Sequence, residues 1–238
     1  MADASSSNAQ GKTDNAQPMD GAAPAGGGRN GPAAPPRSAG GIVGLVAAEL
    51  KAHAPFTMLG TATGVAIMAA FAVMEVPRSI SAVLFWSLHP LHVLLSALVT
   101  TAMFTLHSRR TLLGTVLVGG LGSLGIATLS DCLIPYAGES LLGLPHRGLH
   151  LGFIEKWYLV NPLAAAGILL GYLWPRTRMA HAGHVLLSTW TSLFHMTMAM
   201  GGEFSIFGYA ASALFLFLAV WIPCCTSDIV FPLLFVKK

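Results

Sequence analysis

One polar motif occurs twice in an otherwise apolar chain. Residues His89–Ser96 read HPLHVLLS, and His181–Ser188 read HAGHVLLS. Each copy is followed by a second shared string, S-D-x-φ-φ-P with φ apolar. The first is Ser130-Asp131-Cys132-Leu133-Ile134-Pro135 and the second is Ser227-Asp228-Ile229-Val230-Phe231-Pro232. Upstream, Pro77-Arg78-Ser79 is echoed by Pro175-Arg176-Thr177. Three matches in the same order imply a duplicated half. A duplication restricts architecture more tightly than any local propensity.

The medium follows from charge. Only 10% of residues are charged and 54% are hydrophobic, whereas a soluble domain averages about 25% charged. Residues 1–50 are a different material, rich in Ser, Asn, Ala, Gly and Pro. Such a stretch buries too little apolar surface to offset its ordering entropy, so it reads as a disordered tail. It lacks the build of a signal peptide. The remainder divides into a first three-helix repeat over 51–150 and a second over 151–238. The net charge of +3 carries no basic stripe with interleaved aromatics, which argues against nucleic acid.

Six apolar spans are expected, at Phe56–Met74, Ala82–Leu106, Leu112–Tyr136, Val160–Trp174, Ala182–Met200 and Phe204–Cys224. About 20 apolar residues of helix cross a bilayer. The fourth span is the shortest and can begin near Phe153. Ile229–Val236 reads as the continuation of a broken sixth helix, with a re-entrant segment as the alternative. Pro223 and Pro232 oppose a straight helix there. The fold class is therefore an all-α membrane protein of six transmembrane helices, built as two repeats.

Basic residues set the orientation. Arg29, Arg37, Lys51, Arg109, Arg110, Arg176, Arg178, Lys237 and Lys238 fall on one side of a six-span chain. Arg78, Arg147 and Lys156 fall on the other, among Glu75, Glu139, Glu155 and Glu203. The positive-inside rule then places both termini in the cytoplasm, in a cell membrane such as the bacterial inner membrane. Three spans per half is an odd number, so the halves run in opposite directions. That is an inverted repeat, a plan found in many transporters. Depth counted along the spans places His89, His92 and Asp131 towards the outer face, and His181, His184 and Asp228 towards the inner face.

The spacing of these groups points to metal chemistry. Residues three and four apart share a helix face, so His89, His92, Ser96 and Met103 form one stripe. His181, His184, Ser188 and His195 form its counterpart. Imidazole and carboxylate together suit zinc, manganese, iron, cobalt or nickel. Two histidines and one aspartate leave a coordination position open. Ser130 and Ser227 precede the aspartates and serve as auxiliary polar groups with Ser96 and Ser188. Cys224 and Cys225 can add soft ligands to the inner site. The loop residues His146 and His150 can pre-concentrate a cation, although an exposed pair is more often only solvated. The methionines around His195 read as packing residues. The plain alternative is that the histidines merely hydrogen-bond between helices.

The plan of six spans, internal termini and ligands on spans two and five resembles the cation diffusion facilitators. Their motif on those helices is HxxxD, and a cytosolic metal-binding domain follows span six. This chain has HxxH, so the likeness covers the plan alone and carries no residue across. The expected function is transport of a divalent transition metal by alternating access, rather than an enzyme activity. A haem-binding membrane oxidoreductase and a non-transporting scaffold are the alternatives. The expected partners are the lipid bilayer and the metal ion, and a homo-oligomer is compatible with the pattern. Topology is open to a direct test. Single cysteines introduced at positions 109 and 238 should label from the same side of the membrane, and one at 147 from the opposite side. Labelling of 109 and 147 from one side would remove the inversion.

Overall fold

Backbone groups in hydrocarbon have no water to bond, so apolar runs of this length fold as helices. The computed structural model describes residues 39–108, 111–175, 178–202, 205–227 and 230–235, and among these there is no strand. The chain divides into Met1–Ala33 and Ala34–Lys238, and the helices belong to the second unit. They are α1 (Ala39–Val73), α2 (Arg78–His107), α3 (Leu112–Thr128), a π turn (Leu129–Leu133), α4 (Ile134–Leu141), α5 (Gly152–Glu155), α6 (Trp157–Leu173), α7 (Arg178–Ala199), α8 (Ile206–Ser227) and α9 (Val230–Leu234). Arg109, Arg110, Arg176, Glu203, Lys237 and Lys238, on which the orientation argument leans, lie outside the described residues, as does most of the expected tail.

Among the described residues, four helical stretches are long and apolar enough to cross a membrane: His53–Val73, Arg78–His107, Leu112–Leu141 and Ile206–Cys224. Helix α6 is apolar but has only 17 residues. Helix α7 has 22 residues and is less apolar, because it carries His184, Ser188, Thr189, Thr191, Ser192 and His195. All six of those side chains are buried. Outward positions are the apolar ones, among them Phe56, Leu59, Leu113, Leu121, Leu169 and Phe207. A water-soluble bundle has the reverse arrangement, and an apolar exterior around a polar interior suits lipid.

Two details differ from expectation. Helix α1 starts at Ala39, inside the stretch whose composition reads as tail. Pro135 does not break its helix: the backbone widens into the π turn at Leu129–Leu133 and continues to Leu141. A proline ring collides with the carbonyl four residues back, which here is Asp131, so the extra residue in the turn relieves the clash. Helix α9 covers five residues after α8, and Asp228 and Ile229 between them lie outside the described residues, so the expected broken continuation of the sixth helix falls on them.

Close packing is set by glycines. Helix α6 meets α2 where Gly167 and Gly171 approach it. A Cβ on Gly167 would strike the Leu94 carbonyl and Ala97, and one on Gly171 the Leu98 carbonyl and Thr101. Helix α1 meets α7 in the same way, with Gly60 against Thr189 and Gly64 against Leu193. Small residues spaced by four let helix backbones approach in lipid. Both glycine pairs sit in one string, P-x4-G-x3-G, which occurs at Pro55–Gly64 and Pro162–Gly171. At the far end of α1, Glu75 takes a left-handed conformation (φ 49°). Its neighbour Val76 donates to the Phe71 carbonyl, closing the helix before α2.

Glycine substitution tests this packing. Gly171→Ala forces a methyl into the α2 backbone and should cost about 1–3 kcal/mol, as overpacked sites do. Gly125 has nothing within 4 Å of an added Cβ, so Gly125→Ala should be neutral or stabilise by up to about 1 kcal/mol. Thermal unfolding in detergent would separate the two. Equal midpoints would show that the α2–α6 contact is looser than described.

Candidate metal centre

An ionised carboxylate only accepts hydrogen bonds, at about four sites. Asp131, fully buried in the π turn, has all four filled. Its Oδ2 lies 2.9 Å from His89 Nδ1 and 2.6 Å from His92 Nδ1. Its Oδ1 accepts from Ser130 Oγ at 2.8 Å and from Ser188 Oγ at 3.1 Å. Against an ionised carboxylate both Nδ1 atoms must donate. Each neutral ring then carries its lone pair on Nε2, the nitrogen it would offer to a metal. His92 Nε2 is buried and has no hydrogen-bond partner among the described residues.

The π turn is tied to α7 a second time. Ser192 Oγ donates to the Ser130 carbonyl at 2.9 Å, and also to the Ser188 carbonyl of its own helix at 2.9 Å. Insertions of this type recur at functional sites, because they aim a side chain that a regular turn would point elsewhere.

Beyond Asp131 the site continues into a three-helix cluster. The rings of His92 on α2 and His184 on α7 lie 4.5 Å apart, centre to centre. Cys224 on α8 donates to Ser188 Oγ at 3.2 Å. Ligand atoms of His92, His184 and Cys224 all lie within 4.8 Å of one another, and all three residues are fully buried. Zinc holds nitrogen at about 2.0–2.1 Å and sulfur at about 2.3 Å, so small rotations of these side chains would close a coordination sphere.

His89, His92, Asp131, Ser130, His184 and Ser188 thus share one network. The expected separation into an outer and an inner constellation is replaced by a meeting of His92 with His184. The reason is depth. His92 lies 15 residues from the end of the 30-residue α2, about 22 Å from either end, and α7 crosses it there. The side chains of His181, Ser227 and Cys225, and all of Asp228, lie outside the described residues. Ser96 is buried with its hydroxyl unpartnered among those residues. His195 does not join this cluster: it lies 11 residues beyond His184 on α7 and pairs with Glu139 through Nδ1 and Oε1 at 2.6 Å.

Glu139 carried little signal in sequence: it reads as a loop charge, yet it is fully buried in α4. Its place eight residues after Asp131, on the same helical stripe, is the clue that could have found it. Cys224, offered by the sequence as a soft ligand, is brought to His92 and His184 by α8, which contacts the π turn. No protein-family model, no curated protein and no solved structure matches this chain.

The carboxylate hub makes an energetic expectation. Asp131→Ala strips the acceptor from four buried donors, each of which costs about 1–3 kcal/mol when left unmade. Ser188→Ala removes one of the four and should cost about 1 kcal/mol. Unfolding of both variants in metal-free detergent would rank them. An Asp131→Ala protein as stable as Ser188→Ala would mean the hub does not organise the core.

Proposed function

We propose that this chain is a six-helix integral membrane protein that binds a divalent transition metal at mid-membrane and transports it. One observation carries the reading: three buried donors of metal-ligating type converge from three helices beside a fully hydrogen-bonded carboxylate. Isolated buried charge is expensive. A divalent ion bound by the Cys224 thiolate and two neutral imidazoles, with the Asp131 carboxylate nearby, would be balanced to zero net charge. The thiolate favours zinc, cobalt and nickel over manganese among the expected ions. Three protein ligands leave a position open for exchange.

An inverted repeat of α1–α2–α3 and α6–α7–α8 fits the packing. Helix α6 packs on α2 and α3, and α1 packs on α7 and α8, so each half lends its first helix to the other. The glycine contacts follow the same rule. Gly60 and Gly64 face Thr189 and Leu193, whereas Gly167 and Gly171 face Ala97 and Thr101. Thr189 and Leu193 lie at the same offset from Ala97 and Thr101 as His184 does from His92. In this reading α6 and α7 also cross the membrane, the termini are cytoplasmic, and the metal site sits on the pseudo-two-fold axis. Sites of repeat-built transporters lie at such an interface. The haem alternative has less support, because rings 4.5 Å apart leave no slab of space for a macrocycle between His92 and His184. In the scaffold alternative the same residues are helix glue.

Cobalt(II) separates these readings. The purified protein should take up an equivalent with thiolate-to-cobalt charge transfer in the near ultraviolet. Cys224→Ala should abolish that band, and His92→Ala combined with His184→Ala should abolish tight binding. Asp131→Asn, which alters the support of His92 rather than a ligand, should weaken affinity by about 10–100-fold. Because protons compete for the same nitrogens, binding should weaken as the medium is acidified. Wild-type affinity and stoichiometry in the double histidine variant would leave the histidines as glue.

A further inference from the structure

A second group of histidines and carboxylates lies outside the cluster just described, at the end of the bundle where α2 begins. His195 and Glu139 are both buried, and the carboxylate accepts from His195 Nδ1 at 2.6 Å. That fixes the tautomer and leaves the lone pair on His195 Nε2, which is buried and has no hydrogen-bond partner among the described residues. The other oxygen of Glu139 accepts from the Gly148 amide at 3.3 Å. His150, two residues on, is held in the same manner, with Nδ1 3.3 Å from Glu155 Oε2. Its Nε2 lies against Gly148, where an added Cβ would meet it at 2.9 Å. The carboxylate-anchored loop therefore brings His150 beside His195.

The ring centres of His150 and His195 are 5.3 Å apart and inclined by 66°. Two imidazoles that share one tetrahedral ion at about 2.0–2.1 Å place their centres about 5 Å apart. Each ring has a carboxylate on Nδ1, the support that metal-bound histidines characteristically have. The side chain of His150 is one-third exposed, which leaves it free to turn and close the coordination. Phe85 separates this group from the deeper one. Its ring stacks on His89 at 5.5 Å and meets His195 edge-on at 5.2 Å. On the other side, a cavity of about 520 Å³ is lined by Glu75, Arg78, His146, Thr197 and Met200. Thr197 is two residues from His195, so the cavity reaches the helix that carries this histidine.

We propose that His195 and His150, held from behind by Glu139 and Glu155, form a second transition-metal station at the mouth of the bundle, distinct from the His92–His184–Cys224 centre. It deepens the transport reading by giving the ion a first stop that contains no sulfur. The ligand class is a borderline divalent ion such as zinc or cobalt. The station offers two imidazole nitrogens with carboxylates behind them, and so should bind more weakly and exchange faster than the deeper centre.

Cobalt(II) and zinc titrations of the full chain in detergent would test it. The wild type should take up two equivalents, and only one should show the thiolate charge-transfer band. His150→Ala and His195→Ala should each lose the equivalent that lacks the band and keep the other. Cys224→Ala should do the reverse. His150 is partly exposed, so His150→Ala keeps the test valid if His195→Ala fails to fold. A single wild-type equivalent that Cys224→Ala eliminates would overturn this station and leave the deeper centre standing. Two equivalents unchanged by His150→Ala would overturn it as well. If instead only the band-free equivalent appears and His150→Ala removes it, the mouth station stands and the deeper reading falls.

Discussion

The carboxylate of Asp131 constrains everything around it. An unpaired charge cannot persist in a core without water. Four donors therefore converge on it: two imidazoles from α2, the neighbouring Ser130, and Ser188 from α7. The π turn supplies the local geometry, and Pro135 supplies the reason for the π turn. With both Nδ1 atoms committed to Asp131, the reactive nitrogens of the histidines are set before any ligand arrives. Such pre-organisation is what makes a histidine a ready ligand rather than a rotating side chain.

Polar residues inside a bundle demand close helices, and close helices demand small residues. Gly167 and Gly171 bring α6 against the α2 backbone, and the hydroxyls of Ser188 and Ser192 on α7 reach the π turn. Hydrophobicity cannot drive this association in lipid, where the outside is as apolar as the inside. Packing and interhelical hydrogen bonds must do so, at about 0.6 kcal/mol for an average polar contact. The network at Asp131 is therefore valuable as a set. A single serine matters modestly, whereas the acceptor they share matters to all of them.

The helical class, the apolar exterior and the polar residues of the network were legible in the sequence. HxxH and the S-D-x-φ-φ-P string repeat against a background that has few polar residues to repeat. What stayed hidden was three-dimensional. Linear depth along each span separates His92 from His184, but α2 and α7 cross, and crossing brings mid-helix positions together. Cys224 belongs to the site through the approach of α8, which no spacing within α8 reveals. Glu139 lies near the end of a long helix, where a charge ordinarily meets solvent, and only the loop folded over it makes it internal. The P-x4-G-x3-G string was present but weak, since proline and glycine are common in membrane helices.

The two clusters share one electrostatic logic and differ in softness. Each pairs imidazoles with carboxylates on Nδ1: Asp131 for His89 and His92, Glu139 for His195, Glu155 for His150. An arriving dication then meets anionic charge that is already solvated by hydrogen bonds, so no carboxylate need be dragged from water to receive it. Only the deeper cluster adds a sulfur donor, Cys224. Nitrogen alone at the mouth with nitrogen and sulfur at the centre would form a gradient of increasing affinity for a borderline ion. Phe85 stands between the two, in ring contact with histidines of both. Under the proposed transport function, a relay of this form would draw an ion inward by ligand chemistry alone. Release from the centre must then come from a change at the centre itself. Ser188 is the natural coupling point, because its one hydroxyl contacts both Asp131 and Cys224. A small shift of α7 would alter the support of His92 and the environment of the thiol together, which is how a rocking repeat could convert helix motion into a loss of affinity.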